Sequence, residues 1–249
     1  MDRLAAWSLS RAMEARSVVP GATLVAASLA DFGISVAWAA SAVQHPVHLL
    51  MPESVSLERR ALLGAYGARV SWMAEGMSLS AMEQAAKTWT EANAPAVHLR
   101  VEREEAAGVW ARTAGQEVLE DARAVGRADA WVCGIGTGAT FAGIGGALAA
   151  AYPGMRQVIA WPSSVPHHLQ GLSTDLPALQ AADVRVAGAC AWAERQRLAR
   201  AEGCLVGLSS AANIWAARQV ASALAEDAVV YTLAWSTGER DFSMARYFE

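Results

Sequence analysis

Short apolar runs alternate with longer amphipathic stretches along almost the whole chain. The runs are often β-branched and end at glycine, proline or polar residues, which predicts buried strands. The longer stretches have apolar residues three or four positions apart, which predicts helices. The predicted strands are residues 23–27, 47–51, 69–73, 96–101, 130–133, 158–161, 184–187 and 229–233. The predicted helices are residues 2–15, 32–43, 56–66, 78–92, 106–124, 140–151, 191–201 and 211–225.

This alternation of strand and helix predicts an α/β fold in which parallel sheets are covered by helices on both faces. Asp31 and Ser78 stand where two of the helices should begin, and each is a predicted N-cap. The stretch 163–183 has neither pattern and is the one long irregular segment. Irregular segments of this length inside a compact domain are often functional.

Composition narrows the class of protein. The chain has 249 residues, 54% hydrophobic and 18% charged, which suits a globular protein with a sizeable core. A net charge of −4 without a basic block argues against nucleic acid or an anionic membrane as partner. The cysteines are far apart, which predicts a reducing compartment without a disulfide framework or a zinc site. The sequence has no leader-like segment or long apolar span, so we expect a cytoplasmic protein.

A glycine-rich stretch, residues 133–140 with the sequence CGIGTGAT, joins a predicted strand to a predicted helix. Backbone N–H groups at the positive end of a helix dipole make such a turn a site for a phosphate-sized anion. The alternative is a tight turn that binds nothing. A dinucleotide-binding fingerprint is a weaker match, because the acidic residue that it requires is absent from the apolar stretch 159–162.

Four segments, in the same order and at similar spacing, resemble the cysteine synthases. These are the O-acetylserine sulfhydrylases of the fold-type II group of pyridoxal-phosphate (PLP) enzymes. Residues 51–60, MPESVSLERR, resemble the family's M-P-E-x-x-S-x-E-R-R segment, and residues 136–140, GTGAT, resemble its GTGGT cofactor-phosphate loop. Residues 207–212, GLSSAA, and 236–240, STGER, are similar to its G-I-S-S-G-A turn and its S-G-E-R-Y segment.

The resemblance implies a smaller mobile α/β subdomain, residues 20–105, and a larger subdomain, residues 1–19 and 106–249, that contains the glycine loop. It also implies that Ser209 faces the pyridine nitrogen of PLP. Family members are usually homodimers, so we expect a homodimer with a small-molecule substrate. The residues whose amides and hydroxyls would hold the PLP phosphate are Gly136, Thr137, Gly138, Ala139 and Thr140.

The resemblance breaks down at the lysine that binds PLP covalently. In the family this lysine lies in an S-x-K-D-R segment. Here the sequence begins Met1-Asp2-Arg3, so Met1 takes the lysine position and the family's first strands have no counterpart. Lys87 is the single lysine and lies in a predicted helix, where we expect it on a solvated face. We therefore expect no covalent cofactor, with PLP or another phosphate-like anion held non-covalently as the alternative.

Positions that touch the substrate and the cofactor ring in the family also differ. Asp31 stands in place of the asparagine that holds the cofactor's ring hydroxyl, and Arg100 in place of a glutamine. Two tryptophans replace a histidine and a glutamate, and could form an aromatic wall for an apolar ligand. The residues predicted to line the substrate pocket are Phe32, Trp110, Trp161, Gln170 and Asp175.

The two candidate catalytic residues each have a structural alternative. Asp31 could act as an acid or base beneath apolar neighbours, or could simply cap its helix. Arg100 could clamp a carboxylate or phosphate, or could pair with Glu102 or Glu104. The sequence does not decide between these alternatives.

Two pairs of neighbouring polar residues complete the set of candidates. Ser209 and Ser210 could bind a ligand or could cap the helix that follows them. His167 and His168 are adjacent in the irregular segment. Adjacent histidines rarely bind one ion together, so we expect no metal site.

Three hypotheses of function follow from the resemblance and its departures. The first is a repurposed small-molecule enzyme without covalent PLP, such as a cyclase, isomerase or lyase, acting on an apolar substrate that could carry an anionic group. The second is a non-catalytic pseudoenzyme that regulates a protein partner such as a cysteine synthase. The third is PLP-dependent β-replacement, with the lysine supplied by another chain.

Overall fold

The computed structural model of the chain describes residues 1–15, 17–165, 167–173 and 181–248. The chain divides into two compact units, Met1–Glu102 and Arg103–Glu249, called here the N-terminal and C-terminal units. Each unit has a parallel four-stranded sheet with helices packed on it, so the predicted α/β class is confirmed. In the part of the chain that the structure describes, no helix combines the length and apolar character that crossing a membrane requires.

The N-terminal unit has the sheet order β3-β2-β1-β4, with every neighbouring pair parallel. The last strand is shorter than the predicted 96–101, while the other elements agree closely with the pattern. The elements are α1 (Asp2–Glu14), β1 (Thr23–Ala27), α2 (Asp31–Ala42), β2 (Val47–Pro52), α3 (Leu57–Ala65), β3 (Arg69–Met73), α4 (Leu79–Ala92) and β4 (Ala96–His98).

Strand β1 is apolar after Thr23 because both of its faces are covered. Leu24 and Ala26 pack in one cluster with α1 and α2, while Val25 and Ala27 pack in a second cluster with Met82 of α4. Successive side chains of a strand point to opposite faces, so a strand buried on both sides needs an unbroken apolar run. This is the pattern from which the strand was predicted.

Serine side chains begin two helices of this unit. The Ser78 hydroxyl accepts a hydrogen bond from the backbone N–H of Ala81 at 3.2 Å, which confirms the predicted cap of α4. The Ser56 hydroxyl does the same for the N–H of Arg59 at 3.3 Å at the start of α3. Each bond satisfies one of the backbone donors that a helix N-terminus leaves unpaired.

Helix α1 lies in the N-terminal unit, whereas the family resemblance assigns residues 1–19 to the larger subdomain. Leu9 of α1 packs in the same buried cluster as Ile34 of α2. The Ser35 hydroxyl of α2 donates to Asp2 Oδ1 at 2.7 Å. The apolar stripe of α1 and its first carboxylate therefore both contact α2, which explains its place in this unit.

The C-terminal unit has the sheet order β7-β6-β5-β8, again with parallel pairs. A 3₁₀ segment, Gly238–Tyr247, follows the last strand and was not predicted. The elements are α5 (Arg103–Arg112), α6 (Ala114–Val125), β5 (Ala130–Gly134), α7 (Ala139–Ala151), β6 (Arg156–Pro162), β7 (Ala182–Val186), α8 (Gly188–Glu202), α9 (Leu208–Ala221) and β8 (Val230–Thr232).

The single helix predicted for residues 106–124 is in fact two helices, α5 and α6. Thr113 separates them with a non-helical backbone, φ −114° and ψ −100°, and its hydroxyl donates to Val109 O at 2.8 Å. A Cβ on Gly115 would lie 3.0 Å from Trp110 O, so the two helices meet closely at this break. Both α5 and α6 pack on α7, which a straight helix would not allow along its whole length.

His48 of β2 is buried beneath α4. Its Nε2 lies 2.8 Å from Ser71 Oγ, and its Nδ1 has no hydrogen-bond partner among the described residues. Trp89 meets the ring edge-on, with 4.1 Å between ring centroids. Burial and, to a lesser degree, the charge of Arg69 lower the pKa of His48 below its ordinary value of 6.5. The folded protein therefore keeps this ring neutral where the unfolded chain would begin to protonate it.

We expect acidification to destabilise the protein through His48. The unfolded chain takes up the proton first, so the stability associated with the neutral ring is complete above pH 6.5 and falls as the pH drops below that value. Urea unfolding between about pH 7 and pH 5 should show this fall in the unsubstituted protein. The His48→Gln variant cannot titrate at this position and should show a smaller fall. An equal fall in both proteins would contradict the prediction.

Candidate functional site

In each unit, the loop after the first strand lies where the strand order reverses. Strands β1, β2 and β3 follow one another outward, and β4 returns to the other side of β1. Strands β5 to β8 repeat this arrangement around β5. Ligands of open α/β sheets bind beyond the carboxyl ends of the strands at such reversals. The two candidate loops are therefore residues 28–33 and residues 134–138.

The glycine loop of the C-terminal unit runs from a fully buried strand, β5, to the N-terminus of α7. Gly138 is the N-cap of α7, with φ +81°, a conformation that side chains disfavour. The Thr137 hydroxyl accepts a hydrogen bond from the backbone N–H of Ala139 at 3.3 Å. The loop thus ends at the positive pole of a helix, as an anion site requires.

A second loop, residues 169–173, packs directly on the glycine loop. The Ser173 N–H donates to Ile135 O at 2.8 Å. A Cβ added to Gly136 would lie 2.6 Å from Gly171 O, so this position accepts no side chain without a shift of backbone. The candidate Gln170 lies in this second loop, and its side-chain amide donates to Met244 Sδ at 3.2 Å.

The start of α9 forms a third part of this site. Asn213, fully buried, accepts from the N–H of Gly134 at 2.7 Å and donates to Leu233 O at 2.8 Å. It therefore links α9 to the ends of β5 and β8. The predicted serine cap of α9 is wrong, because the N–H of Leu208 donates to Asp241 Oδ2 at 2.7 Å. Asp241 belongs to the 3₁₀ segment and is 1% exposed.

Ser209 lies in the first turn of α9 and is 3% exposed. The indole N–H of Trp235 donates to Ser209 Oγ at 2.9 Å. Ser210 instead contacts Ser236, with 3.1 Å between the two hydroxyl oxygens. The hydroxyls of Ser209 and Ser210 thus have different hydrogen-bond partners, Trp235 and Ser236.

In the N-terminal unit, the loop after β1 is organised around one hydroxyl. Ser28 Oγ accepts from the backbone N–H of Gly33 at 2.8 Å and from that of Ala30 at 3.2 Å. A Cβ on Gly33 would lie 2.7 Å from Met51 Sδ, so glycine allows the loop to lie against β2. Ala30, not Asp31, is the N-cap position of α2, and the Ser28 hydroxyl is what accepts from the first-turn N–H of Gly33. The predicted capping role of Asp31 is therefore wrong.

Asp31 instead forms a buried ion pair. Its Oδ1 accepts from Arg59 Nε at 3.0 Å, and the two side chains are 9% and 1% exposed. Arg59 also donates from Nη1 to Ser56 Oγ at 3.2 Å. Sequence reasoning predicted an apolar setting for Asp31 and missed Arg59, although that residue lies inside the family-like E-R-R segment.

The remaining candidates of this unit lie elsewhere. Arg100 pairs with Glu102 at 3.1 Å, and both side chains are more than half exposed. This is the structural alternative considered for Arg100, and it is a surface pair. Phe32 packs at the edge of the buried cluster that contains Leu24.

The two pocket tryptophans of the C-terminal unit contact different elements. Trp110 lies on α5 and is 6% exposed; a Cβ on Gly143 of α7 would lie 2.8 Å from its Cβ. Trp161 ends β6 and donates from its indole N–H to Asp183 Oδ1 of β7 at 2.8 Å. Arg185 stacks over the same indole, 5.7 Å from its centroid. Their part in a substrate pocket stays a prediction.

His167 and His168 each contact a different part of the C-terminal unit. His167 Nδ1 accepts from the N–H of Leu169 at 3.0 Å, and burial together with the charge of His168 lowers the pKa of His167. The His168 ring stacks on Tyr247 with 3.8 Å between centroids. No three His, Cys, Asp or Glu side chains of the described residues are grouped to hold a metal ion. The candidate Asp175 lies outside the described residues.

Comparisons with known proteins bear on this geometry. A family model described as pyridoxal-phosphate dependent enzyme matches residues 1–234. The chain belongs to this family. A cysteine synthase from Staphylococcus aureus is 31% identical over 261 aligned positions, which cover 99% of this chain and 84% of that protein.

Solved structures of PLP enzymes give the same result. An O-ureido-L-serine synthase superposes with a TM-score of 0.87 at 28% identity, covering 97% of this chain and 81% of that one. A hydrogen sulfide-producing enzyme from Fusobacterium nucleatum superposes with a TM-score of 0.86 at 25% identity, covering all of this chain and 80% of the other. The fold-type II architecture is thus confirmed, and the relatives are enzymes. These findings favour a PLP enzyme over a PLP-free cyclase, and they give no support to a pseudoenzyme.

Proposed function

We propose that this chain binds PLP in its C-terminal unit and replaces or removes a group on the β-carbon of an amino acid. The observation that supports this most directly is the glycine loop at the N-terminus of α7, with Gly136 pressed against Gly171 O. The reaction class is suggested by the relatives, which include a cysteine synthase and an O-ureido-L-serine synthase.

The described residues suit PLP at two points of the ligand. The first backbone amides of α7 and the Thr137 and Thr140 hydroxyls would hold the phosphate. Ser209, buried beside Trp235, would meet the pyridine nitrogen. When bound, PLP supplies an electron sink for the amino-acid substrate. The protein's part is to fix the ring by its two ends and to exclude water around it.

Lys87 does not serve this site in our proposal. Its ammonium lies 3.9 Å from a carboxylate oxygen of Glu91 on α4 of the N-terminal unit, and its side chain is 58% exposed. The sequence prediction of a solvated position is confirmed. Since the 249 residues contain no other lysine, we propose that an amine for covalent attachment comes from outside them. It would belong to the same polypeptide or to a second chain.

The test is whether the purified protein retains PLP. We expect PLP to stay with the protein through gel filtration and to be displaced by excess inorganic phosphate, which competes for the glycine loop. Borohydride reduction followed by peptide mapping then reveals whether an amine is attached and from which chain. Assays with O-acetylserine and sulfide test for formation of cysteine. Failure to retain PLP, with no competition by phosphate, would overturn the proposal.

A second candidate is catalysis without covalent PLP, in a cyclase, isomerase or lyase whose anionic substrate occupies the glycine loop. The surroundings of Lys87 favour it, because this single lysine is more than half exposed and lies beside Glu91. The same experiment separates the two candidates: the second requires turnover in a preparation that contains no PLP and is unaffected by borohydride.

A further inference from the structure

The two neighbouring serines of α9 differ in what their hydroxyls can still bind. Ser210 Oγ accepts from the backbone N–H of Ser236 at 3.1 Å and lies 3.1 Å from Ser236 Oγ. Ser209 Oγ has one hydrogen-bond partner in the part of the chain that is described, the indole N–H of Trp235. An indole N–H can only donate, so Ser209 accepts this bond and its own proton is available for another acceptor.

Trp235 is held in place by its neighbours along the chain. On one side, Leu233 O accepts from the Asn213 side chain of α9 at 2.8 Å. On the other, Ser236 O accepts from the N–H of Gly207 at 2.9 Å. Both bonds attach this segment to the start of α9. The indole and the serine hydroxyl are therefore kept at a fixed separation.

We propose that Trp235 is a positioning residue that makes the Ser209 hydroxyl a hydrogen-bond donor to an unprotonated pyridine nitrogen. The inference rests on the proposed binding of PLP. A protonated ring nitrogen would itself donate, which would leave the buried Ser209 proton without an acceptor, at a cost in free energy. A hydroxyl that already accepts one hydrogen bond also donates more strongly. Trp235 thereby sets the preference of the site for a ring that offers an acceptor nitrogen.

The experiment compares the affinity of the full chain for PLP and for 1-deaza-PLP, in which a C–H replaces the ring nitrogen. The unsubstituted protein should prefer PLP about tenfold, the effect of one neutral hydrogen bond. Trp235→Phe removes the donor and keeps an aromatic ring, and should reduce that preference about twofold. Ser209→Ala should abolish it. Trp215→Phe, a tryptophan variant on α9, the helix of Ser209, should leave the preference unchanged.

A role of Trp235 in packing alone would weaken both ligands equally, and that result would overturn the inference. Absence of PLP binding in the unsubstituted protein would overturn the proposed function as well, so the two failures are distinguishable. If Trp235→Phe does not fold, the indole proton resonance of Trp235 is followed in the unsubstituted protein. It should shift more with PLP than with the deaza analogue, and equal shifts would overturn the inference.

Discussion

Replacing Arg59 with methionine should lower the free energy of unfolding by about 3–5 kcal/mol. The Asp31 carboxylate is buried beside Arg59 Nε at 3.0 Å, and the arginine also donates to the buried Ser56 hydroxyl. Removal of the guanidinium takes this charged partner from the buried carboxylate and this donor from the buried hydroxyl. Breaking a buried pair is costly for this reason, whereas replacing both partners together can be nearly neutral.

Urea unfolding of three variants tests this explanation. Arg59→Met should shift the unfolding midpoint strongly, and the double variant Asp31→Asn/Arg59→Met should recover much of the loss. Arg100→Met is the matched control, because the pair of Arg100 with Glu102 is more than half exposed and contributes at most about 1 kcal/mol. Equal losses in the Arg59 and Arg100 variants would show that the buried pair is not a stabilising contact.

The fold could be predicted because a central strand that is buried on both faces needs a continuous run of apolar residues, and such runs are visible in the sequence. Strand β5 was predicted from its apolar run, and the glycines that follow the run were predicted to form the turn after it. The break at Thr113 has no such local signal, since it depends on where α7 lies against α5 and α6. The 3₁₀ segment Gly238–Tyr247 was also not predicted from the sequence.

The candidate site was predicted less completely than the fold. The glycine loop was predicted from its local sequence, because a tight turn before a helix requires particular residues. Ser209 was named from the resemblance of residues 207–212 to the family's serine turn. Trp235 and Asp241 contact the first turn of α9 from positions far along the chain. A contact between side chains that are far apart along the chain produces no periodic pattern in the sequence, so these two residues were not predicted. Arg59 was missed because the family resemblance shows only that Asp31 is a substitution at one position. It does not show that the Arg59 guanidinium pairs with the Asp31 carboxylate.

Gly136→Ala should weaken binding of PLP about 100-fold, the effect of losing one or two hydrogen bonds to the charged phosphate. The new Cβ would lie 2.6 Å from Gly171 O, which is a backbone atom and cannot rotate away. The glycine loop and residues 169–173 must then separate, so the amides of α7 lose their alignment with the phosphate. Equilibrium dialysis with PLP, and competition with inorganic phosphate, measure this loss.

Gly146→Ala in α7, the helix that follows the glycine loop, separates binding from stability. A Cβ at Gly146 would meet nothing within 4 Å, so alanine should raise the stability of α7 by about 0.5–1 kcal/mol and leave PLP affinity unchanged. Gly136→Ala should instead lose affinity at a temperature where circular dichroism shows the variant to be folded. Unchanged affinity in a folded Gly136→Ala protein would mean that the phosphate does not bind at this loop, since the geometry of the loop would have changed without consequence.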